Sequence, residues 1–593
     1  MGKARRELLD LQRRLWSRLQ EEIEASIVEN PPNVDIYKEE YRRDVRGYQA
    51  VSSKRELVEA AAAARLVYVG DYHTLPQAQR TVVKLLLALT KLERRVVLCM
   101  ELVHSKDQEL LDRYMLGELS DEAFLKAIDY ERTWGFEWAP YAEIFALARR
   151  RGLRVVGINS DPQEHEYDHL LERDFRTAKI VAREAEADPD AIVLVFDGDL
   201  HVARDHLPFI VANYMEYELG VAPPRHLIVH QNAEEIYWKL AGEAKEREVN
   251  VVRLADDAFC VINASPLEKL HSYLNWVSER DALESPSLSG SSWDLVEDES
   301  EEVEFGEDGP DYTEQVHRLV CTVAEFLQIE RDDLDAFTVF TVNDLDFLDY
   351  LAGGDFSAQE VEDIKRQILS NESYFIPKGD IIYLADFSLQ NAAEEATHFL
   401  HHRCSGYGWE APRPLAVDFY FRVVTEAIGY FGSKVIVPTR ECWREADCQA
   451  FVEANARHLK GGAFRLTETG SLMAGGEERV RLLLSHRLTL KASRLVLEHK
   501  RAERHYLRSG RWPGGGAALA QPTEVHLLVT HMLGHMLGDK LYYGLLQGAL
   551  QKRDLREVFA ADLEAEGEAL ARYLALIERT QGVAHGPTRA ERL

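Results

Sequence analysis

The sequence predicts an α/β domain with a largely parallel sheet, followed by a mainly α-helical domain. Short apolar runs alternate with longer amphipathic stretches in the first half, and the second half shows apolar residues mostly at helical spacing. Between the halves lies a Ser-rich segment that leads into an acidic block, in which like charges repel and few apolar groups can pack. We therefore divide the chain into four parts: an N-terminal helix and connector (1–50), an α/β domain (51–280), an acidic disordered linker (281–312) and a mainly helical domain (313–593).

The composition excludes several classes of protein. Hydrophobic residues make up 46% and charged residues 29% of the chain, which is typical of globular domains. The formal net charge of −31 repels phosphate backbones, so nucleic acid is not an expected partner. No apolar run reaches the ~18 residues of a membrane span, and the basic N-terminus lacks the apolar core of a secretory signal. None of the six cysteines forms a Cys-x-x-Cys pair, so we expect a reducing, cytoplasmic location.

The predicted elements follow from the hydrophobic pattern. Charged and apolar residues alternate at helical spacing through about Ser26, and Pro31-Pro32-Asn33 ends that helix. The strands expected in the α/β domain are the apolar runs 66–69, 96–100, 153–158, 191–196 and 226–229, with helices at 76–92, 105–127, 138–151 and 166–187. In the second half we expect a hairpin at 374–384 and helices at 313–328, 358–371, 390–403, 415–432, 444–459, 477–509, 523–551 and 554–580.

Two matching motifs follow predicted strands, and they are the strongest functional signal. They are Gly70-Asp71-Tyr72-His73 and Gly198-Asp199-Leu200-His201. Glycine permits a sharp turn off the strand, so each aspartate and histidine lies at a carboxyl end, where parallel sheets bind ligands. A neutral imidazole can bind a metal or act as a base, and a carboxylate can orient it. The structural alternative is that Gly and Asp only turn the chain.

Two further strands add polar residues to the same predicted edge. The run 96–100 is followed by Glu101, and the run 153–158 is followed by Asn159. Four strands are thus expected to bring His73, Glu101, Asn159 and His201 to one edge of the sheet. Two histidines and a carboxylate suit a divalent metal such as Zn, Mn, Fe or Co, with Asn159 as a further contact for a bound cofactor.

The stretch from ~50 to ~235 resembles the ChaN-like family of the haem-binding-uptake/Tiki superfamily, which also groups TraB and the erythromycin esterases. The matching residues are the two motifs, Gln77, Gln79, Met100-Glu101, the run 111–120, Trp134, Trp138 and Asn159. The resemblance implies either haem or iron binding, as in ChaN proteins, or hydrolysis of a small molecule or peptide. The usual Gly-Glu-x-His of the family is here Gly-Asp-x-His, and the lipoprotein signal common among ChaN proteins is absent.

If the domain is a hydrolase, we expect a metal-assisted reaction. A metal held by His73, Glu101 and His201 would polarise a carbonyl and lower the pKa of its bound water. Asp71 or Asp199 would orient the histidines or act as the general base. The sequence leaves the substrate, the choice between metal and haem, and the oligomeric state open.

A second set of candidate ligands lies on a predicted helix of the second half. Glu394, His398 and His402 are spaced by four residues, so they share one face of the helix. Glu395 and His398 also form a Glu-x-x-His pair, the spacing found in carboxylate-bridged di-iron bundles.

A later helix repeats this pattern with His531, His535 and Asp539. Packed together, the two helices would enclose one or two metal ions, with Asp418 and Glu426 as further ligands. The alternative is that the histidines only form hydrogen bonds in a core, and that this half is an interaction or scaffold module. The second half resembles no family that we recognise.

Overall fold

A computed structural model describes residues 2–26, 33–92, 94–160, 169–281, 312–408, 415–459, 465–466, 472–473 and 484–585. The chain divides into two compact units, one built mainly from described residues before 278 and one mainly from those after 311. Residues 282–311 of the predicted acidic linker lie outside the described residues.

Up to residue 281, strands and helices alternate. In chain order the elements are α1 (Lys3–Ser26), α2 (Val34–Asp44), β1 (Ala50–Val51), α3 (Lys54–Ala63), β2 (Leu66–Asp71), α4 (Pro76–Thr90), β3 (Val96–His104), α5 (Gln108–Met115), α6 (Asp121–Ala127), α7 (Tyr130–Thr133), α8 (Ala139–Arg151), β4 (Arg154–Asn159), α9 (His169–Ala187), β5 (Ile192–Gly198), α10 (Leu207–Asn213), β6 (His226–Gln231), α11 (Glu234–Gly242), β7 (Val251–Ala255), β8 (Ala258–Val261) and α12 (Pro266–Asp281).

These strands form one sheet in the order β1-β7-β8-β6-β2-β5-β3-β4. Every pairing from β8 to β4 is parallel, whereas β7 pairs antiparallel with β1 and β8. The predicted fold class is therefore confirmed. Side chains alternate between faces along a strand, so Val67 and Val69 belong to one apolar core while Tyr68 belongs to the other. Both faces are buried, as expected of a parallel sheet.

The structure differs from the sequence predictions in local detail. Helix α2 lies within the predicted N-terminal connector, and β1, β7 and β8 were not expected. The predicted helix 105–127 is interrupted, because Gly117 has a φ of 76° that ends α5. The chain restarts at Ser120, whose hydroxyl accepts a hydrogen bond from the backbone N–H of Ala123 (3.2 Å) and caps α6.

Strand β4 lies at one edge of the sheet, and a side chain covers part of that edge. The Gln108 amide donates to the carbonyl oxygen of Val155 (2.9 Å) and accepts from the backbone N–H of Gly157 (2.9 Å). Gln108 thus satisfies one backbone acceptor and one backbone donor that no other strand among the described residues pairs with.

The second unit is mainly helical, as predicted. Its elements are α13 (Tyr312–Leu327), β9 (Thr338–Thr341), α14 (Phe347–Gly353), α15 (Ala358–Ser370), β10 (Tyr374–Ile376), β11 (Ile381–Leu384), α16 (Leu389–Ser405), α17 (Leu415–Ile436), α18 (Glu445–Leu459), β12 (Arg465–Leu466), β13 (Leu472–Met473), α19 (Leu484–Ser509), α20 (Thr523–Leu546), α21 (Lys552–Phe559) and α22 (Glu568–Arg579). The expected hairpin is β10–β11, and β9 extends it as a parallel neighbour of β11.

Helix ends in this unit are set by glycines with positive φ. The predicted helix 523–551 stops at Leu546, just before Gly548 (φ 76°). Gly567 (φ 79°) divides the predicted helix 554–580 into α21 and α22. Within the described parts of the chain, no helix combines the length and apolarity needed to cross a bilayer.

Helix α17 packs very closely against α20. A Cβ added at Gly534 would lie 2.3 Å from the Cβ of Glu426, and one at Gly538 would lie 2.6 Å from the carbonyl oxygen of Ala427. Only glycine fits at these two positions. The close contacts therefore fix the position of α20 along α17 and its rotation about its own axis.

Candidate functional site

Three neighbouring strands of the sheet carry acidic side chains at one edge. In the order β2-β5-β3, these are Asp71 at the end of β2, Asp197 near the end of β5, and Glu101 in β3. Glu101 follows Met100, the last residue of β3 that pairs with β5, and the β3–β4 register is irregular between Met100 and His104. The strand therefore changes course where Glu101 reaches the edge.

Asp71 orients His73. One carboxylate oxygen of Asp71 lies 2.9 Å from Nδ1 of His73, and the carboxylate also accepts hydrogen bonds from Gln79 (2.5 Å) and the hydroxyl of Tyr141 (2.7 Å). Burial alone would lower the pKa of His73, but Asp71 and then Glu101 outweigh it and raise that pKa. Nε2 of His73 lies 3.7 Å from Glu101.

Glu101 is at the centre of the site. One of its oxygens accepts a hydrogen bond from the backbone N–H of Gly198 (2.9 Å), and the other is in close contact with the Arg173 guanidinium. Burial opposes the ionised form, but Arg173 and then His73 and His201 hold the pKa of Glu101 at about 2. Glu101 is therefore a carboxylate at neutral pH.

His201 and Asp197 complete the buried group. The carboxylate of Asp174 lies 2.5 Å from Nδ1 of His201 and accepts a hydrogen bond from the hydroxyl of Tyr37 (2.7 Å). Burial alone would lower the pKa of His201, but Asp174 outweighs it and raises that pKa to about 9. Burial and the neighbouring Glu101 raise the pKa of Asp197 well above its ordinary value. Glu101, Asp197 and His201 each offer a ligand atom within 4.8 Å of the others.

Aromatic side chains pack beside His73. Its ring centroid lies 4.6 Å from that of Trp134 and 4.9 Å from that of Phe136. Phe136 in turn stacks on Trp276 (4.7 Å). The His73 side chain keeps 24% of its surface exposed, so a ligand in solvent can reach the imidazole beside these apolar rings.

Two predicted site residues have other surroundings. Asp199 does not orient His201, because Asp174 occupies that position; its Oδ2 lies 3.5 Å from Nζ of Lys269 instead. Asn159 ends β4, and its side-chain oxygen accepts a hydrogen bond from the backbone N–H of Ser160 (2.8 Å).

Sequence reasoning missed Asp197, Arg173 and Asp174. Asp197 had a signal, because it is a charged residue at the end of an otherwise apolar strand. Arg173 and Asp174 lie on the amphipathic helix α9, where acidic and basic residues are common. No local pattern distinguishes the two that reach the sheet edge.

In the helical unit, four of the predicted or suggested ligands come together. Glu394, Glu426, His531 and His535 offer ligand atoms that all lie within 4.8 Å of one another. Glu394 is on α16, Glu426 on α17, and both histidines are on α20.

The other predicted ligands of this unit make separate contacts. Glu395 lies 3.0 Å from Nδ1 of its helix neighbour His398. His402 is bound by Nδ1 to the carbonyl oxygen of Tyr407 (2.5 Å) and lies 3.3 Å from a carboxylate oxygen of Asp380.

Asp539 also makes contacts of its own. It pairs with Lys434 (3.0 Å) and with His585 (2.7 Å). The stripe expected on α20 is therefore divided between two different environments.

Comparison with known proteins identifies part of the first unit. Residues 57–167 match the family model described as haem-binding uptake, Tiki superfamily, ChaN, and the rest of the chain matches no family model. The predicted resemblance to ChaN-like proteins is thus confirmed for this segment. No curated protein matches.

Two solved structures are similar to parts of the chain. ChaN of Campylobacter jejuni, described with cofacial haem binding, is 13% identical over 32% of this chain and 89% of its own, with a TM-score of 0.24. The type III effector HopBA1 is 16% identical over 37% of this chain and 97% of its own, with a TM-score of 0.27. Similarity at this level says nothing about ligand or activity.

Proposed function

We propose that the α/β unit is a ChaN-like domain that binds a metal centre, as an ion or as haem, at the carboxyl ends of β2, β3 and β5. The observation that carries the proposal is the convergence of Glu101, Asp197 and His201 within 4.8 Å. Two carboxylates and an imidazole are ligands that Zn, Mn, Fe and Co accept. Asp174 orients His201 in the manner typical of carboxylates behind metal-binding histidines.

An ion fits the buried group better than a macrocycle does. Glu101, Asp197 and His201 are all buried, so a compact ion can enter where a porphyrin cannot. Burial and Glu101 raise the pKa of Asp197, and Asp174, against burial, raises that of His201, so both environments favour bound protons. A cation competes with those protons, so its affinity should increase with pH.

Haem would instead use His73. The ring is partly exposed, its Nδ1 is held by Asp71, and Trp134 and Phe136 offer apolar surface beside it. The family description favours the same ligand. Bound haem supplies redox and ligand-binding chemistry at iron, and the protein's contribution is the orientation and basicity of His73.

Calorimetric titration of the full chain with Zn(II) and Mn(II) tests the ion. These titrations use a background that carries Glu426→Gln and His531→Ala, so that metal binding in the helical unit does not contribute to the measured stoichiometry. In that background, we expect Glu101→Gln and Asp197→Asn each to weaken binding about tenfold or more, while His226→Ala, a half-buried histidine on β6, serves as the control. Equal affinity in all four proteins would refute the ion site.

Haem titration tests the second ligand. We expect a Soret band that shifts on binding and is lost in His73→Ala but retained in Glu101→Gln. Loss in both variants would indicate that the buried group shapes the haem site. A band unchanged in His73→Ala would place haem elsewhere and exclude His73 as its ligand.

A hydrolase is the second candidate, and the Asp71–His73 pair favours it. A buried carboxylate that orients a partly exposed imidazole is the arrangement of a general base. Arg173, beside Glu101, provides fixed positive charge that can stabilise a developing oxyanion.

Turnover of activated esters and of unfolded peptides tests this candidate. General-base catalysis predicts that His73→Ala lowers kcat about 100-fold or more, with a smaller loss in Asp71→Asn. The control is His226→Ala. Turnover that survives His73→Ala would exclude this histidine as the base.

A further inference from the structure

The helical unit contains a polar cluster that the proposed function does not use. It consists of Glu394, Glu426, His531 and His535, and we call it the helical cluster. His535 Nε2 lies 2.7 Å from Glu394, and His531 Nδ1 lies 3.0 Å from Glu426. The two imidazole centroids are 3.7 Å apart.

These distances are close to those of a shared coordination sphere. Bonds of ~2.0–2.1 Å in a tetrahedral site put neighbouring ligand atoms about 3.3 Å apart. The contacts within the two hydrogen-bonded pairs, 2.7 and 3.0 Å, are slightly shorter than this separation. All four ligand atoms lie within 4.8 Å of one another. Small side-chain rotations would therefore convert the two hydrogen-bonded pairs into one four-ligand site.

The backbone holds the ligands in register. Gly534 lies between His531 and His535 on α20, and its missing side chain admits the Cβ of Glu426 from α17. Glu426 is thereby placed beside both histidines. Helices α17 and α20 thus have little freedom to separate Glu426 from the two histidines.

Charge favours a cation at this position. Arg440 pairs with one oxygen of Glu394 (2.6 Å). The hydrogen-bond partner of Glu426 is His531, which bears charge only when protonated. A divalent ion between the pairs would supply the fixed positive charge that Glu426, unlike Glu394, does not receive from an arginine in the described part of the chain.

The cluster also opens onto a cavity of about 230 Å³. Glu394 is almost fully buried, whereas the side chains of Glu426 and His531 keep 23% and 35% of their surface exposed. His398 also lines the cavity; it is buried, and its Nε2 has no hydrogen-bond partner among the described residues. A buried imidazole nitrogen without a partner costs free energy unless a ligand or water binds it.

We propose that Glu394, Glu426, His531 and His535 bind a divalent transition-metal ion whose open coordination positions face this cavity. Mixed imidazole and carboxylate ligands suit Zn, Fe, Mn and Co. The lining of the cavity includes Asn391, Tyr407, Phe421 and Leu527, which combine polar and apolar surface. A small ligand bound there would contact the metal directly.

Co(II) tests the proposal, because its visible absorption reports both binding and geometry. The full-length chain is used in a background with Glu101→Gln and Asp197→Asn, which removes the candidate ion site of the α/β unit. We expect one equivalent of Co(II) per chain, with the weaker visible absorption of five- or six-coordinate cobalt, and displacement by Zn(II). This outcome is independent of whether the α/β unit binds metal.

Variants then locate the ion. Glu426→Gln keeps the side-chain shape, and we expect it to weaken Co(II) binding about tenfold or more, as should His531→Ala. His526→Ala is the matched control, since His526 lies on the same helix and contacts Asp418 instead (3.0 Å). Unfolding curves establish that each variant is folded. The proposal is overturned if folded protein binds neither ion, or if Glu426→Gln and His531→Ala bind as tightly as His526→Ala.

Discussion

Asp71 is the residue that orients His73 in the first site. Its carboxylate is buried and accepts hydrogen bonds from three side chains, one of which is His73. The motif that contains both residues could be predicted from the sequence. Its partners Gln79 and Tyr141 come from α4 and α8, so only the folded chain shows how the carboxylate is held.

Asp71→Asn should lower the pKa of His73, because the amide removes the largest influence that favours the imidazolium over burial. The measurement is an NMR titration of the His73 ring protons. Asp256→Asn, at an exposed turn, is the control and should leave the titration unchanged. An unaltered or higher pKa in Asp71→Asn would contradict this account.

His401 makes the stability of the helical unit sensitive to acid. Its side chain is completely buried, and burial, helped by His398, lowers its pKa to about 3. In the unfolded chain its pKa is ~6.5. Between these values the unfolded state binds a proton that the folded state does not, so stability falls as pH drops from about 6.5 towards 3.

His401→Leu should therefore reduce the slope of the unfolding free energy against pH, by an amount that corresponds to at most one bound proton. Urea unfolding of the full chain at about pH 5 and about pH 7.5 measures this change in the unfolding free energy. His505→Leu, at an exposed position of α19, should retain the wild-type dependence. Identical slopes in the two variants would show that His401 does not titrate in this way.

At the level of elements, apolar runs located five neighbouring strands, from β6 to the edge strand β4, yet β1, β7 and β8 on the other side of the sheet escaped prediction. β1 has only two residues, which is too short for an alternation to be recognised. Helix α2 has a strongly polar composition, and its buried residues are two tyrosines, Tyr37 and Tyr41. Such a helix is stabilised by tertiary contacts that no local pattern reveals.

The close packing of α17 and α20 gives a prediction for Gly534. Its added Cβ would approach the Cβ of Glu426 to 2.3 Å and the carbonyl oxygen of Val423 to 3.0 Å. Because neither atom ends a flexible chain, Gly534→Ala should destabilise the protein by about 1–3 kcal/mol in urea unfolding. Gly353→Ala, at the end of α14 with open space around its Cα, should not. Equal stability of both variants would mean that the helices can move apart.

For the whole molecule, the two candidate metal sites lie in separate compact units. The sequence analysis named all four residues of the helical cluster, among other candidates, but it missed Asp197 of the α/β site, since which carboxylates meet depends on which elements pack together. If both sites bind, elemental analysis should show two ions per chain. Glu101→Gln and Glu426→Gln should each remove one, and the double variant both. A loss of both ions in either single variant would show that the sites are coupled.

The side-chain amide of Gln108 has a consequence for how copies of this chain behave in concentrated solution. An exposed edge strand is a template on which another chain can add a strand and start aggregation. Gln108 already bonds the carbonyl oxygen of Val155 and the N–H of Gly157, so these two groups of β4 cannot pair with a strand from another chain. Gln108→Ala should therefore raise light scattering at high protein concentration, whereas Gln359→Ala, on the exposed face of α15, should not. One amide would thus contribute to colloidal stability as well as to the fold.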